Sequence, residues 1–294
     1  MPERPLRGIA LILASLFLFA LLDATSKHLS QTYSVPLLVW ARYTFHFLMM
    51  LLFLAPSMRW KLVATQRPVL QAVRGGLLVA VTGFAMAAFR IMPLAETTAL
   101  LFITPLFVAL MAGPLLGERV GRRRWLAVGA GFVGTLLIAR PGSSLSLAGI
   151  ALTLAAAGCY SLYQIQTRML SPTENTFTML FYTALMGTFV MTLGLPWFWS
   201  GPLPSPIDAL MIASLGLYGG TGHFMLIRAF RHAAASTLST FQYSQLIWAT
   251  LLGWLVYDQL PDALSLVGMT IVAGSGLAVA LAESQRISAV PQRQ

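Results

Sequence analysis

The sequence predicts an all-α integral membrane protein of ten transmembrane helices, arranged as two inverted five-helix repeats with both termini cytoplasmic. Three observations carry this. The 294-residue chain is 57% hydrophobic and only 10% charged, a composition outside the range of soluble domains. Apolar runs of roughly 20 residues, the length that crosses a hydrocarbon core of about 30 Å, recur from end to end. Finally, GIALILASLFLFALLDATSKHLS at Gly8 to Ser30 reappears without a gap as GIALTLAAAGCYSLYQIQTRMLS at Gly149 to Ser171. Gly-Ile-Ala-Leu opens both copies, Leu-Ser closes both, and Lys27 meets Arg168 in the same slot. Such self-similarity at long period marks a fold built from repeated units.

The runs lie near 8–28, 35–55, 69–89, 94–116, 123–139, 146–168, 175–196, 206–228, 235–257 and 262–283. The first follows a basic start and resembles a cleavable leader. Its repeat counterpart at 149–171 is internal, so residues 1–22 are expected to remain as a span. The first two runs form a hairpin centred near position 32. In the fourth, Pro105 removes a backbone donor and is expected to kink the helix, freeing a carbonyl. The sixth holds the sole cysteine, Cys159, read as a small packing residue because it has no partner in the chain. The eighth reads GLYGGTGHF, with Gly216, Gly219, Gly220 and Gly222 before His223. The connections are short, which leaves no room for a separate soluble domain.

The net charge of +10 invites a nucleic-acid reading, but its distribution argues for topology. With the N-terminus inside, the cytoplasmic side receives fourteen basic residues, among them Arg59, Lys61, Arg67 and the run Arg122 to Arg124, and the outer side receives only Lys27, Arg90 and Arg140. Arg42 and Arg74 fall within or at the edge of helices. This is the asymmetry of cytoplasmic loops, and it excludes a nucleic-acid role.

Five runs per half is an odd number, so residues 1–141 and 142–294 enter the membrane from opposite sides. A second match supports the inversion. PLFVALMAGPLLGERV from Pro105 aligns with QLIWATLLGWLVYDQL from Gln245, placing Gly113 on Gly253 and Glu118 on Asp258, and after one gap Gly129 on Gly268. The first acidic loop carries four arginines; the second carries Asp258 and Asp262 without a basic residue. Charge follows sidedness while the apolar pattern follows the repeat, and inverted repeats permit alternating access around a central cavity.

Several motifs give the chain a family likeness: Thr104-Pro105-Leu106-Phe107, Gly117-Glu118-Arg119, Gly129 and Gly134 in the first half, and Tyr243-Ser244-Gln245-Leu246, Trp248, Gly253, Asp258 and Gly268 in the second, with Arg42 in the second helix. On these it resembles the drug/metabolite transporter superfamily, in its ten-helix bacterial branch with two EamA-type repeats, over nearly its whole length. Asp258 stands where family members commonly carry Glu. Within that family the chain looks most similar to exporters of aromatic and other neutral amino acids. The resemblance implies a multi-pass transporter of the bacterial inner membrane rather than an enzyme, with a small molecule and the bilayer as its partners.

Asp23 and Arg42 are equidistant from the hairpin centre, so an ion pair is expected, with Lys27 and His46 one turn away on the same faces. An intramembrane charge costs about 3 kcal/mol or more on insertion scales and is usually paired. The pair either staples the hairpin or serves as a proton or substrate-carboxylate site, and Gln164 replaces the acid in the second copy. The ninth run is the most polar, and Ser239, Gln242 and Tyr243 share one helical face that either lines the cavity or bonds to neighbouring helices. Phe84, Phe102, Tyr160, Tyr163 and Trp248 are aromatic candidates for the cavity, and His223 a possible proton carrier. Pro105, Gly219, Gly220 and Gly222 are candidate hinges.

No phosphate-binding loop accompanies Lys27 or Lys61, no HExxH or other metal or nucleophile constellation occurs, and no cofactor or metal is expected. A channel is disfavoured by the lack of a repeated pore loop. The main alternative to amino-acid export is efflux of lipophilic drugs or other small metabolites. The sequence sets no oligomeric state, and a monomer is consistent with it.

Overall fold

The computed structural model describes residues 5–104, 107, 108, 110, 111, 115, 122–140, 145–170, 172–198, 202–230, 232 and 241–288, and among these no strand occurs. Among the described residues, the helices of eight residues or more are α1 (Pro5–Leu29), α2 (Val35–Phe53), α3 (Pro68–Ile91), α4 (Leu94–Leu101), α5 (Arg122–Ala139), α6 (Leu147–Leu170), α7 (Thr176–Phe198), α8 (Pro206–Phe230), α9 (Ser244–Tyr257) and α10 (Ala263–Ser288). Six stretches of the described residues are long and apolar enough to cross a membrane: Leu6–Leu29, Val35–Phe53, Pro68–Ile91, Leu147–Thr167, Thr176–Trp197 and Pro206–Leu226. Gly129–Ala139, Ser244–Tyr257 and Ala263–Ala278 are shorter apolar helices.

Local chemistry sets the ends. α3 opens on Pro68, whose missing N–H is an orphan at that position anyway. It stops at Met92, extended at φ −132° and ψ 156°, because the following Pro93 excludes the helical conformation. The Ser205 hydroxyl accepts the Asp208 amide at 3.1 Å to cap α8, and the Asn175 carbonyl oxygen accepts the Phe177 amide at 2.8 Å to cap α7. α9 ends on Asp258 in the left-handed region (φ 53°), its amide bonded to the Trp254 carbonyl; Asp tolerates that region better than most side chains. Asp262 then accepts the Ser265 amide at 2.7 Å and caps α10.

Contacts divide the chain into two compact units, each drawing on both halves of the sequence. The first is Met1–Ala20, Leu94–Ser144 and Thr221–Gln294; the second is Leu21–Pro93 and Leu145–Gly220. In the second unit α3 packs on α6 and α7, and α2 on α7. Its core gathers Leu22, Leu29, Tyr33, Leu37, Leu38, Met86 and Leu215, with a further cluster of Met50, Leu62, Phe181 and Ala184. Tyr43 of α2 bonds the Leu78 carbonyl of α3 at 2.9 Å and meets the Thr82 hydroxyl at 2.8 Å, while its ring presses on Gly187 of α7. At the edge of this unit the Tyr33 hydroxyl donates to the Asp208 carboxylate at 2.7 Å, which raises the phenol above its ordinary pKa.

In the first unit α10 packs on α5, and α4 on α9. The α5–α10 crossing is backbone to backbone. A Cβ on Gly134 would sit 2.7 Å from the Gly268 carbonyl oxygen, and one on Gly268 would sit 2.6 Å from that of Gly134, so only glycine permits this approach. Arg140 at the end of α5 meets Asp262 at the start of α10 at 2.7 Å. The Ser265 amide and the Arg140 guanidinium hold the Asp262 carboxyl below its ordinary pKa.

Candidate functional site

Among the described residues of the first unit, the regular ladder is interrupted at two positions that match in the two halves. Phe102 and Ile103 form a turn between helical Leu101 and Thr104, and Gln242 and Tyr243 a turn between helical Phe241 and Ser244. Backbone bonds tighten to three-residue spacing there, with Phe102 N–H to Ala99 O at 3.1 Å and Gln245 N–H to Gln242 O at 3.1 Å. In the first half the cause is readable. Pro105 has no N–H for the Leu101 carbonyl, and the Thr104 hydroxyl donates to that oxygen instead at 2.7 Å. Pro105 itself, like Ser239, lies outside the described residues.

The two breaks bring their aromatic residues together. Phe102 stacks on Tyr243 with ring centroids 5.0 Å apart and planes at 30°. One turn along α9, Trp248 meets Phe17 edge to face at 4.9 Å, and His223 of α8 tilts against Phe19 at 4.9 Å. The Ser244 hydroxyl and the Trp248 indole N–H, four residues apart on one face of α9, are buried without a hydrogen-bond partner among the described residues. Unsatisfied buried donors of this kind are costly unless a ligand or water completes them. Gln242 is exposed. Tyr243 and Ser244 also border an open groove of about 650 Å³ between α9 and α10, lined mostly by apolar side chains such as Leu246, Ile247, Trp254 and Met269.

The second unit holds the charged candidates. Asp23 of α1 is half-buried. The Arg42 guanidinium lies 5.9 Å from the centre of the Tyr43 ring, and a Cβ added at Gly219 of α8 would lie 3.8 Å from its Nε. His46, one turn on, is buried, and a Cβ added at Gly220 would lie 3.4 Å from its ring. Gly216, Gly219 and Gly220 let α8 approach α2 closely at these side chains; Gly222, in the first unit, admits the Phe19 ring. Lys27, only 5% exposed, donates to the Phe89 and Met92 carbonyls at 2.9 and 2.6 Å, a cation on the carbonyl-rich end of α3. Phe84 is half-buried on α3 and Gln164 exposed on α6. Tyr160 and Tyr163 stack at 5.8 Å with planes 13° apart.

Sequence reasoning passed over two buried charges. Arg74 of α3 is 1% exposed and lies over the Tyr163 ring at 4.9 Å; an arginine one turn after Gln71 in an apolar run was the available signal. Glu96, at the start of α4, is 5% exposed, an acid obscured by its place at the edge of the run. Among the described residues no group of three or more His, Cys, Asp or Glu side chains is arranged to hold a metal.

Comparison with known proteins adds the family. The model of the EamA-like transporter family matches residues 6–140 and again residues 147–281. The S-adenosylmethionine uptake transporter of Rickettsia prowazekii (strain Madrid E) is 24% identical over 98% of this chain and 97% of its own length. The pseudopaline exporter of Pseudomonas aeruginosa (strain UCBPP-PA14) is 27% identical over 92% and 95%, and the riboflavin transporter of Vibrio cholerae 27% identical over 92% and 91%. A solved crystal structure shares the fold with a TM-score of 0.64 at 19% identity, covering 94% of this chain and 99% of the other. The chain belongs to the EamA-like transporter family, and it is a multi-pass membrane protein whose work is transport rather than catalysis.

Proposed function

We propose that this protein exports amino acids, aromatic and other neutral ones foremost, across the bacterial inner membrane. It does so by alternating access of ten transmembrane helices in two inverted repeats with cytoplasmic termini. The observation that carries the reading is the pair of matched helix breaks at Phe102–Ile103 and Gln242–Tyr243. Interrupted helices at corresponding positions of two repeats mark the binding site in many carriers, and here they present a stacked aromatic pair beside the unpartnered Ser244 hydroxyl and Trp248 indole. A flat side chain and a polar head group match that chemistry.

In the first unit we assign Phe102, His223, Ser239, Gln242, Tyr243 and Trp248 to substrate contact; in the second, Phe84, Tyr160, Tyr163 and Gln164. Asp23, Lys27, Arg42 and His46 carry the charge interactions, with Asp23 and Arg42 serving an ion pair or proton coupling. Pro105, Gly219, Gly220 and Gly222 serve as hinges. The names of the relatives favour small metabolites. S-adenosylmethionine itself joins an aromatic base to an α-amino-acid head group, the combination proposed here.

The apolar groove between α9 and α10 favours a second reading, efflux of lipophilic compounds. Flux of labelled phenylalanine, tryptophan, methionine and threonine into proteoliposomes, beside a lipophilic dye and against protein-free vesicles, separates the two. Saturable amino-acid flux is the expected result. Dye flux without amino-acid flux would transfer the assignment to the second reading.

A further inference from the structure

Arg74 sits in the interior of the second unit, and among the described residues no carboxylate is within salt-bridge distance of it. Its guanidinium donates through Nη2 to the Met179 carbonyl and, at 2.9 Å, to the Thr183 hydroxyl. Nη1 makes a long 3.3 Å contact to the Thr167 hydroxyl. Tyr163 covers one face of the group, and Nε is buried without a hydrogen-bond partner among the described residues. One turn earlier on α3, Gln71 is fully buried, its side-chain carbonyl oxygen also without a partner among the described residues. The nearby acid, Glu174, is 8% exposed and is held by the Gln66 amide at 2.9 Å and the Gln71 side-chain amide at 3.4 Å.

A guanidinium buried among neutral groups is costly inside a membrane protein. Hydroxyls and a carbonyl spread its charge but do not neutralise it. Next to Arg74, α3 approaches α7 so closely that a Cβ on Gly75 would sit 2.7 Å from that of Met186. Beside the guanidinium the Tyr160–Tyr163 stack extends to an exposed ring at Tyr160, an aromatic path from the surface of the unit to a cation with a vacant donor.

We propose that Arg74 is the binding site for a carboxylate on an aromatic ligand, whose ring packs on the Tyr160–Tyr163 stack while its carboxylate takes the free Nε hydrogen and displaces a neighbouring hydroxyl contact. A charged acceptor in place of a hydroxyl gives the stronger hydrogen bond and supplies the missing counter-charge. The proposal deepens the amino-acid reading, on which it rests for the natural ligand: the carboxylate is that of the substrate, with Arg74 near the N-terminal end of α3, the cytoplasmic end in the topology proposed above.

The test is binding to the purified full-length protein in detergent, by calorimetry, with three probes: phenylacetate, which has the carboxylate alone; phenethylamine, which has the ammonium alone; and phenylalanine. The wild type is expected to bind phenylacetate and phenylalanine. Arg74→Gln should weaken both at least tenfold and leave phenethylamine unchanged. Arg74→Lys keeps the charge but lacks the Nε donor, so it should weaken both severalfold and serves if the glutamine variant does not fold. Absence of phenylacetate binding in the wild type, equal losses for all three probes, or unchanged affinity in either folded variant would overturn the site. Arg74-dependent phenylacetate binding by a protein that carries no phenylalanine would keep the site and remove the amino-acid reading.

Discussion

Lys27 shows how far a single residue is legible. Its place beside Asp23 on one face of α1 follows from helical spacing, but its ammonium caps α3 through the Phe89 and Met92 carbonyls, a contact 62 residues away that no local pattern announces. Lys27→Met should lower thermal stability in detergent by about 2 kcal/mol, the loss expected for buried hydrogen bonds to a charged donor; amide exchange should rise at the end of α3, and an unchanged melting temperature would count against the cap. Arg74 was visible in the sequence only as a charge at a helix edge; what surrounds it depends on how α3, α6 and α7 meet. Asp262 offers a titration test. Its carboxyl is held below the ordinary range by Ser265 and Arg140, so it contributes stability above the unfolded value near 4, and that contribution is lost as pH falls through the lower folded value. Asp262→Asn should therefore be less stable than the wild type at neutral pH, with the gap closing on acidification; a gap independent of pH would contradict the cap and ion pair.

Helix ends and crossings were the most legible features. The apolar runs at 35–55 and 69–89 correspond to Val35–Phe53 and Pro68–Ile91, because prolines and caps punctuate them. The runs at 94–116 and 235–257 read as continuous spans, yet α4 gives way to a turn at Phe102 and a turn at Gln242–Tyr243 precedes α9. Hydropathy averages over a break of two residues. A proline at 105 is a sequence signal for an interruption near the first break, where the Thr104 hydroxyl takes the Leu101 carbonyl; its counterpart in the second half is Gln245, which carries no such signal. Gly134 and Gly268, singled out as family motif residues, form the α5–α10 crossing. Gly268→Leu should force that crossing apart and sharply reduce the yield of folded protein, whereas Gly76→Ala, where an added Cβ meets nothing within 4 Å, should be neutral in a thermal melt. Equal behaviour of the two variants would argue against a backbone-tight crossing.

For the whole molecule, repetition in sequence and compactness in space divide the chain differently. The duplicated segments split it near residue 141, while each compact unit takes segments from both sides of that point. A duplication records which helices share an ancestor, and contacts record which helices bury each other's surfaces; only the first can be read from one sequence. The substrate is the least legible feature, since aromatic and polar side chains in a span serve packing as readily as binding. If Asp23 couples transport to protons, Asp23→Asn should remove the dependence of flux on an imposed pH gradient and leave exchange intact; a gradient response equal to the wild type would end that role. The central claim, an alternating-access carrier of amino acids, is tested most directly by counterflow. Proteoliposomes loaded with unlabelled phenylalanine and placed in trace labelled phenylalanine, with no pH gradient, should accumulate label transiently above its external concentration, because a carrier exchanges one molecule for another. Entry that never exceeds equilibrium, or no entry beyond protein-free vesicles, would contradict it.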